Sequence, residues 1–166
     1  MNYQTLFLDA YEKYADDIYR HCYFRVYNKE LAEDITQETF IKTWKYIIEG
    51  KEIQNIRAFL YRVAVNLIID NSRKKKELAG DERLNNIRAG EDTEDNIFNR
   101  FDANRIVKLL DKLAENQKQV MVMRYIDELK PSEIADILGE SPNAVSVRIN
   151  QATKKLREII NKKNEQ

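Results

Sequence analysis

Apolar residues in this 166-residue chain recur three, four or five positions apart along most of its length, and only 4 glycines and 2 prolines interrupt them. That spacing lines one face of a helix, and no segment sustains the alternation of a half-buried strand. The chain is therefore expected to be all-α. Its 34% charged residues, above the usual ~25%, suit helices with wet outer faces, and its 43% hydrophobic residues can fill a core. Helices are predicted from Thr5 to about Tyr27, Glu30 to about Ile48, Ile56 to Lys75, Ala103 to Leu113, Glu115 to Tyr125, Pro131 to Leu138 and Pro142 to Ile160. Their expected core stripes are Leu6, Tyr11, Tyr14, Ile18, Cys22 and Val26 in the first, and Ala32, Ile35, Thr39, Phe40, Thr43 and Ile47 in the second. In the third the stripe is Ile56, Leu60, Val63, Ala64, Leu67 and Asn71.

Net charge is zero, but the charges are segregated. Residues 56–76 hold six basic residues against one acid, residues 77–102 eight acids against three arginines, and residues 141–166 six basic residues against two acids. The acidic stretch contains Gly80 and Gly90 and has no large apolar cluster between Leu84 and Ile97, which reads as a flexible connector. Two small helical domains are thus expected, 1–76 and 103–166, joined by an acidic linker over 77–102. No internal repeat is visible.

Several chemistries are excluded. One cysteine, Cys22, and one histidine, His21, cannot build a disulfide, a Cys-rich or His-based metal site, or a His-dependent triad. The connector's acids sit on a Gly-containing segment that cannot hold metal geometry, and no glycine-rich phosphate loop is present. No catalytic residue, metal or cofactor is expected. No apolar run approaches the ~20 residues of a membrane span, and Met1 to Thr5 lack the basic and apolar regions of a signal peptide. A cytoplasmic protein with no membrane insertion is expected.

The strongest local signal runs from Lys130 to Val145. Pro131 suits a first helical position, having no N–H to leave unpaired. Ala135 is small where a second helix must cross, and Gly139 can take the positive φ of a tight turn. Ser141 can cap a new helix with Pro142 behind it. Val145, Ile149, Ala152 and Leu156 then form its buried stripe. These are the steric requirements of a helix-turn-helix. The outward face of its second helix holds Asn143, Ser146, Val147, Asn150 and Lys154, flanked by Arg148 and Gln151. Arg, Asn and Gln can pair with base edges, and Val147 can touch a thymine methyl. Lys154, Lys155 and Arg157 suit phosphate. The first acid after Glu140 is Glu158, so this face fits the major groove of duplex DNA.

The second predicted helix carries Asp34, Gln37, Glu38 and Ile41 outward, an exposed isoleucine among polar groups that fits protein docking, and taken alone fits a solvated helix face about as well. Its stretch Ala32-Glu33-Asp34-Ile35-Thr36-Gln37-Glu38-Thr39-Phe40 resembles the A-E-D-[IL]-x-Q-E-x-F pattern of bacterial RNA polymerase sigma factors of the sigma-70 family, in the small extracytoplasmic-function (ECF) group. The resemblance continues from Ile56 to Arg73, similar to the family's promoter-opening helix. It resumes at Gln119-Val120 to Arg124, Glu133-Ile134-Ala135, Leu138-Gly139 and the recognition helix. Two departures stand out. The family's usual Leu-Pro is Leu113-Ala114, and its usual Gly and Ser before the helix-turn-helix are replaced by Glu128, Lys130 and Pro131.

The resemblance implies a dissociable specificity subunit that binds core RNA polymerase, recognises and opens promoter DNA, and is commonly held by an anti-sigma factor. It places Asp34, Gln37, Glu38 and Ile41 on the polymerase. Arg62, Asn66, Asp70 and Arg73 recur at intervals of four, four and three along the third helix, and the resemblance sets such a stripe against the promoter near the start site. Tyr61 is expected to be open enough to stack on exposed bases, with Phe59 in the core. Arg73, Lys74 and Lys75 are phosphate-binding candidates. A base extruded from the duplex would be held by the loop from about Glu49 to Asn55. The linker either threads polymerase channels or is a passive tether. The competing reading is a free-standing helix-turn-helix regulator with a helical dimerisation domain, in which the Asp34–Ile41 face would be idle.

Overall fold

Asn2 opens the first helix: its Oδ1 accepts from the N–H groups of Gln4 and Thr5 at 3.1 and 3.3 Å, two of the donors that a helix start leaves unpaired. The computed structural model describes residues 2–79 and 97–164. These hold α1 (Tyr3–Val26), α2 (Lys29–Ile48), α3 (Ile56–Ala79), α4 (Ile97–Leu110), α5 (Glu115–Met121), α6 (Pro131–Leu138) and α7 (Pro142–Asn164), with no strand among the described residues. The chain forms two compact units, Met1–Gly90 and Glu91–Gln166. Helix α3 runs three residues beyond the expected boundary at 76 and α4 starts six before 103, while most of the expected connector, 80–96, lies outside the described residues.

In the first unit, α1 ends where Tyr27 turns left-handed (φ +47), and Asn28 at once caps α2 by accepting from Leu31 N–H at 3.1 Å. The two-residue junction folds α2 back along α1. Every residue of the expected α2 stripe is buried, Ala32, Ile35, Thr39, Phe40, Thr43 and Ile47. Its two threonines satisfy their hydroxyls locally, Thr39 Oγ1 donating to Ile35 O at 2.7 Å and Thr43 Oγ1 to Thr39 O at 2.8 Å, which leaves their methyls to pack. Gly50 adopts φ +77 after α2, and Asn55 caps α3 through Ala58 N–H at 3.1 Å.

The other two stripes hold in part: Ile18 and Cys22 in α1, and Leu60 and Ala64 in α3, are buried as expected, and other expected positions are not. In α1 the buried residues are Ala10, Ile18, His21 and Cys22, whereas Leu6 and Tyr11 are exposed. In α3 they are Leu60, Tyr61, Ala64, Val65 and Ile68, with Val63 and Leu67 only half-buried.

In the second unit, Val107, Leu110 and Leu113 join Val120–Met123, Leu129, Ile134, Ala135, Ile137, Val145, Ile149 and Ala152 in one core. The helix predicted to reach Tyr125 is α-helical only to Met121 and continues as a π-helical turn, Val122–Ile126. Four successive residues, Val120 to Met123, are buried across that change, two in α5 and two in the π-helical turn, more than one narrow helical face accommodates. Ala114, where the family's proline would stand, still begins α5, with Gln117 Oε1 accepting from its N–H at 3.4 Å. Lys118 Nζ pairs with Asp111 at 2.7 Å across that junction.

Candidate functional site

The helix-turn-helix is built by its caps. Pro131 occupies the first turn of α6, and Lys130 N–H donates to Glu133 Oε1 at 3.0 Å. Gly139 ends α6 with φ +68, and Glu140 N–H donates to Ala135 O at 3.0 Å, closing the turn. A Cβ at Gly139 would meet nothing within 4 Å, so backbone angle alone demands glycine there. Ser141 Oγ then accepts from Ala144 N–H at 3.1 Å and starts α7. With Val145, Ile149 and Ala152 buried, Asn143, Val147, Asn150, Gln151, Lys154 and Lys155 are exposed and Ser146 is half-buried. Val147, a large apolar residue, is 46% exposed among them. Arg148 departs from the expected set: its side chain is only 19% exposed, tied to Glu140.

Asp34, Gln37, Glu38 and Ile41 are all exposed and share one face of α2, at relative positions 0, 3, 4 and 7, opposite its buried stripe. Beside them lies an open groove of about 590 Å³ between the start of α1 and α2, in which Gln37 and Ile41 meet Phe7, Leu8, Tyr11, Phe40 and Trp44. Edge-on aromatic contacts hold it open: Phe7–Trp44 centroids are 5.2 Å apart and Tyr11–Phe40 5.0 Å. The sequence reading missed this groove by assigning Tyr11 to the core. The available signal was the crowding of Tyr3, Leu6, Phe7, Leu8 and Tyr11 onto more of α1 than one face can bury.

On α3, Arg62, Asn66, Asp70, Arg73, Lys74 and Lys75 are all exposed. Tyr61 is not. It is fully buried, with His21 edge-on at 5.5 Å and the Arg57 guanidinium 5.9 Å from its ring, so no base can stack on it. Phe59 is half-buried against Tyr46 at 4.7 Å. In the loop before α3, Lys51 pairs with Glu49 at 2.6 Å and its ammonium lies 5.0 Å from the Tyr46 ring. The hydrogen bond to Glu49 raises the Lys51 pKa above its ordinary value. Among the described residues no cluster of His, Cys, Asp and Glu could hold a metal ion, and no helix is long and apolar enough to cross a membrane.

The two units match different family models. The one described as Sigma-70 region 2 covers residues 10–77, and Sigma-70, region 4 covers residues 103–156. The ECF RNA polymerase sigma factor SigW of Bacillus subtilis (strain 168) is 36% identical over 165 residues, spanning 93% of this chain and 88% of SigW. Two solved structures share the fold. CnrH in complex with the cytosolic domain of CnrY superposes with TM-score 0.74 at 22% identity, over 95% of this chain and 89% of CnrH. The sigma factor RpoE, in complex with the anti-sigma factor NepR from Bartonella quintana, gives TM-score 0.78 at 18% identity, over 93% and 96%.

Proposed function

Because the chain belongs to the sigma-70 family of RNA polymerase sigma factors, in its ECF group, we propose a division of labour among three of its helices. As a dissociable sigma factor it binds core RNA polymerase and directs promoter recognition. On our reading, core polymerase docks on the α2 face of Asp34, Gln37, Glu38 and Ile41. The observation that carries this is the exposure of all four residues on the face opposite a fully buried stripe. The adjoining groove supplies apolar area that four side chains alone lack.

The exposed stripe Arg62, Asn66, Asp70 and Arg73, with Lys74 and Lys75, contacts the promoter where it opens, and the loop from Glu49 to Asn55 holds an extruded base. Unstacking costs a few kcal/mol, which contacts to the freed strand must offset. Asn143, Ser146, Val147, Asn150 and Gln151 read base edges of a second, upstream element, and Lys154 and Lys155 bind its phosphates. The protein works in the cytoplasm, without catalytic chemistry of its own, and an anti-sigma partner holds it inactive. A free-standing regulator is not favoured, because the sigma region 2 match covers the helices that a dimerisation domain would need.

The test is in vitro transcription from a library of promoter fragments by core polymerase with and without this protein. Sequence-specific transcripts that depend on the protein are expected. Transcripts from the same fragments without it, or none with it, would overturn the proposal.

A further inference from the structure

Arg148 sits between Val147 and Asn150 on α7, both exposed, yet its own side chain is drawn in to 19% exposure. Glu140 draws it in: Arg148 Nη2 and Glu140 Oε2 form an ion pair at 2.9 Å. Both ends of this pair are anchored. Glu140 stands directly after the left-handed Gly139, its own N–H bonded to Ala135 O at 3.0 Å. Arg148 stands on a helix whose start Ser141 fixes and whose Val145 and Ile149 are buried. Most surface ion pairs gain little because two free side chains must be ordered and salt screens them. Here the carboxylate hangs from a closed turn, the side chains are 19% and 34% exposed, and screening is weaker for partly covered charges.

A guanidinium loose on this face would do something the neighbouring amides cannot. It would bind any phosphate in reach and add affinity without regard to sequence, or fork onto a guanine. The pair offsets its charge and holds the guanidinium against the turn, and the carboxylate itself repels phosphate. We propose that Glu140 is a specificity-determining residue, which latches Arg148 to the turn and so restrains sequence-independent DNA binding by the recognition helix. This rests on α7 reading duplex DNA. With the latch closed, the sequence-independent term is left to the cations further along, Lys154 and Lys155, while Asn143, Val147 and Asn150 discriminate.

The experiment measures binding of the full chain to a duplex of scrambled sequence, by fluorescence anisotropy over a KCl series. Glu140→Ala is expected to tighten binding several-fold at low salt and to steepen the log–log salt slope by about 0.9, the value of one added phosphate contact. In an Arg148→Ala background the same substitution should leave the slope unchanged. An unaltered slope for Glu140→Ala overturns the latch, and so does equal steepening in both backgrounds, since loss of carboxylate repulsion then explains everything. Circular dichroism checks folding. Should Glu140→Ala lose helicity, Glu140→Gln carries the test, because a neutral amide holds a guanidinium about half as strongly, and the same slope criterion applies. Lys154→Ala separates the two levels. If it leaves binding unchanged, α7 is not the duplex-reading helix; if it weakens binding while Glu140→Ala has no effect, the latch alone falls.

Discussion

Helices α2 and α7 solve the same packing problem with outward faces of opposite chemistry. Each buries a stripe of small and branched residues, Ala32, Ile35, Thr39 and Thr43 in one, Val145, Ile149 and Ala152 in the other. Outward, α2 shows two carboxylates, an amide and an isoleucine beside an apolar groove. Over its recognition face α7 shows amides, a valine and lysines, and its cation nearest the turn is neutralised by Glu140. Carboxylates repel a phosphate backbone, and a groove of aromatic rings suits another protein's side chains. Amides and lysines suit base edges and phosphates. The buried stripes place the two helices in the same all-α fold class, and under the proposed function their outward residues take different partners.

The sharpest way to break that comparison is to give α2 the charge of α7. Asp34→Arg with Gln37→Arg should abolish co-purification with core polymerase, since reversed charge at a docking face costs several kcal/mol. Helicity should be unchanged, because both side chains are exposed. Retained co-purification would sink the docking assignment. Next in size is Tyr61→Ala. A buried ring lost from a core costs about 3 kcal/mol or more, so the mid-point of urea denaturation should fall markedly. Were Tyr61 a base contact, promoter opening, followed by permanganate-reactive thymines, would fail at unchanged stability.

Base reading and charge attraction should part within α7 itself. Asn150→Ala should cost ~1–3 kcal/mol at one base position and little elsewhere, because an amide donates and accepts at one adenine edge. Lys154→Ala should weaken all sequences alike and flatten the salt dependence. Competition among single-base variants of the preferred site, at fixed salt, measures both. A uniform loss for Asn150→Ala would make it a backbone contact and mean that α7 enters the groove with a different face inward.

The α2 stripe was legible residue for residue because charged residues bracket it closely, Glu33 and Asp34 before Ile35, Glu38 before Thr39, Lys42 before Thr43. The turn at Gly139 was legible for a different reason: its sterics are local, and φ +68 with no neighbour within 4 Å depends on nothing distant. Helix α3 lacks such brackets. From Val63 to Ile69 Asn66 is its only polar residue, so spacing alone fits several rotations, and contact with His21 of α1 selects the one that buries Tyr61. The groove was hidden for the same reason, since whether Tyr11 is covered depends on how far α2 extends over α1. Arg148 was legible as part of the outward face, but its pairing with Glu140 was not, because Glu140 lies outside α7, before the turn that starts it.

The smallest expected effect compares two left-handed residues that flank α6. Glu128, at φ +56, precedes it where the resemblance leads one to expect glycine, and Gly139, at φ +68, follows it. A side chain in this conformation costs roughly 1–2 kcal/mol. Glycine there avoids that cost but brings a floppier unfolded chain, worth about 0.4–1 kcal/mol. Glu128→Gly should therefore stabilise the second unit by about 0.5 kcal/mol, and Gly139→Ala should destabilise it by a similar or slightly larger amount. For a unit of this size such changes move Tm by a few degrees, on the scale of about 4–8 °C per kcal/mol. The Glu128 side chain is exposed, and a Cβ at Gly139 meets no neighbour, so the two shifts isolate backbone strain from packing. Opposite signs in thermal denaturation of the full chain are expected. If Glu128→Gly lowers Tm instead, the Glu128 side chain contributes more than its backbone angle costs, and the departure from glycine at this position is itself stabilising.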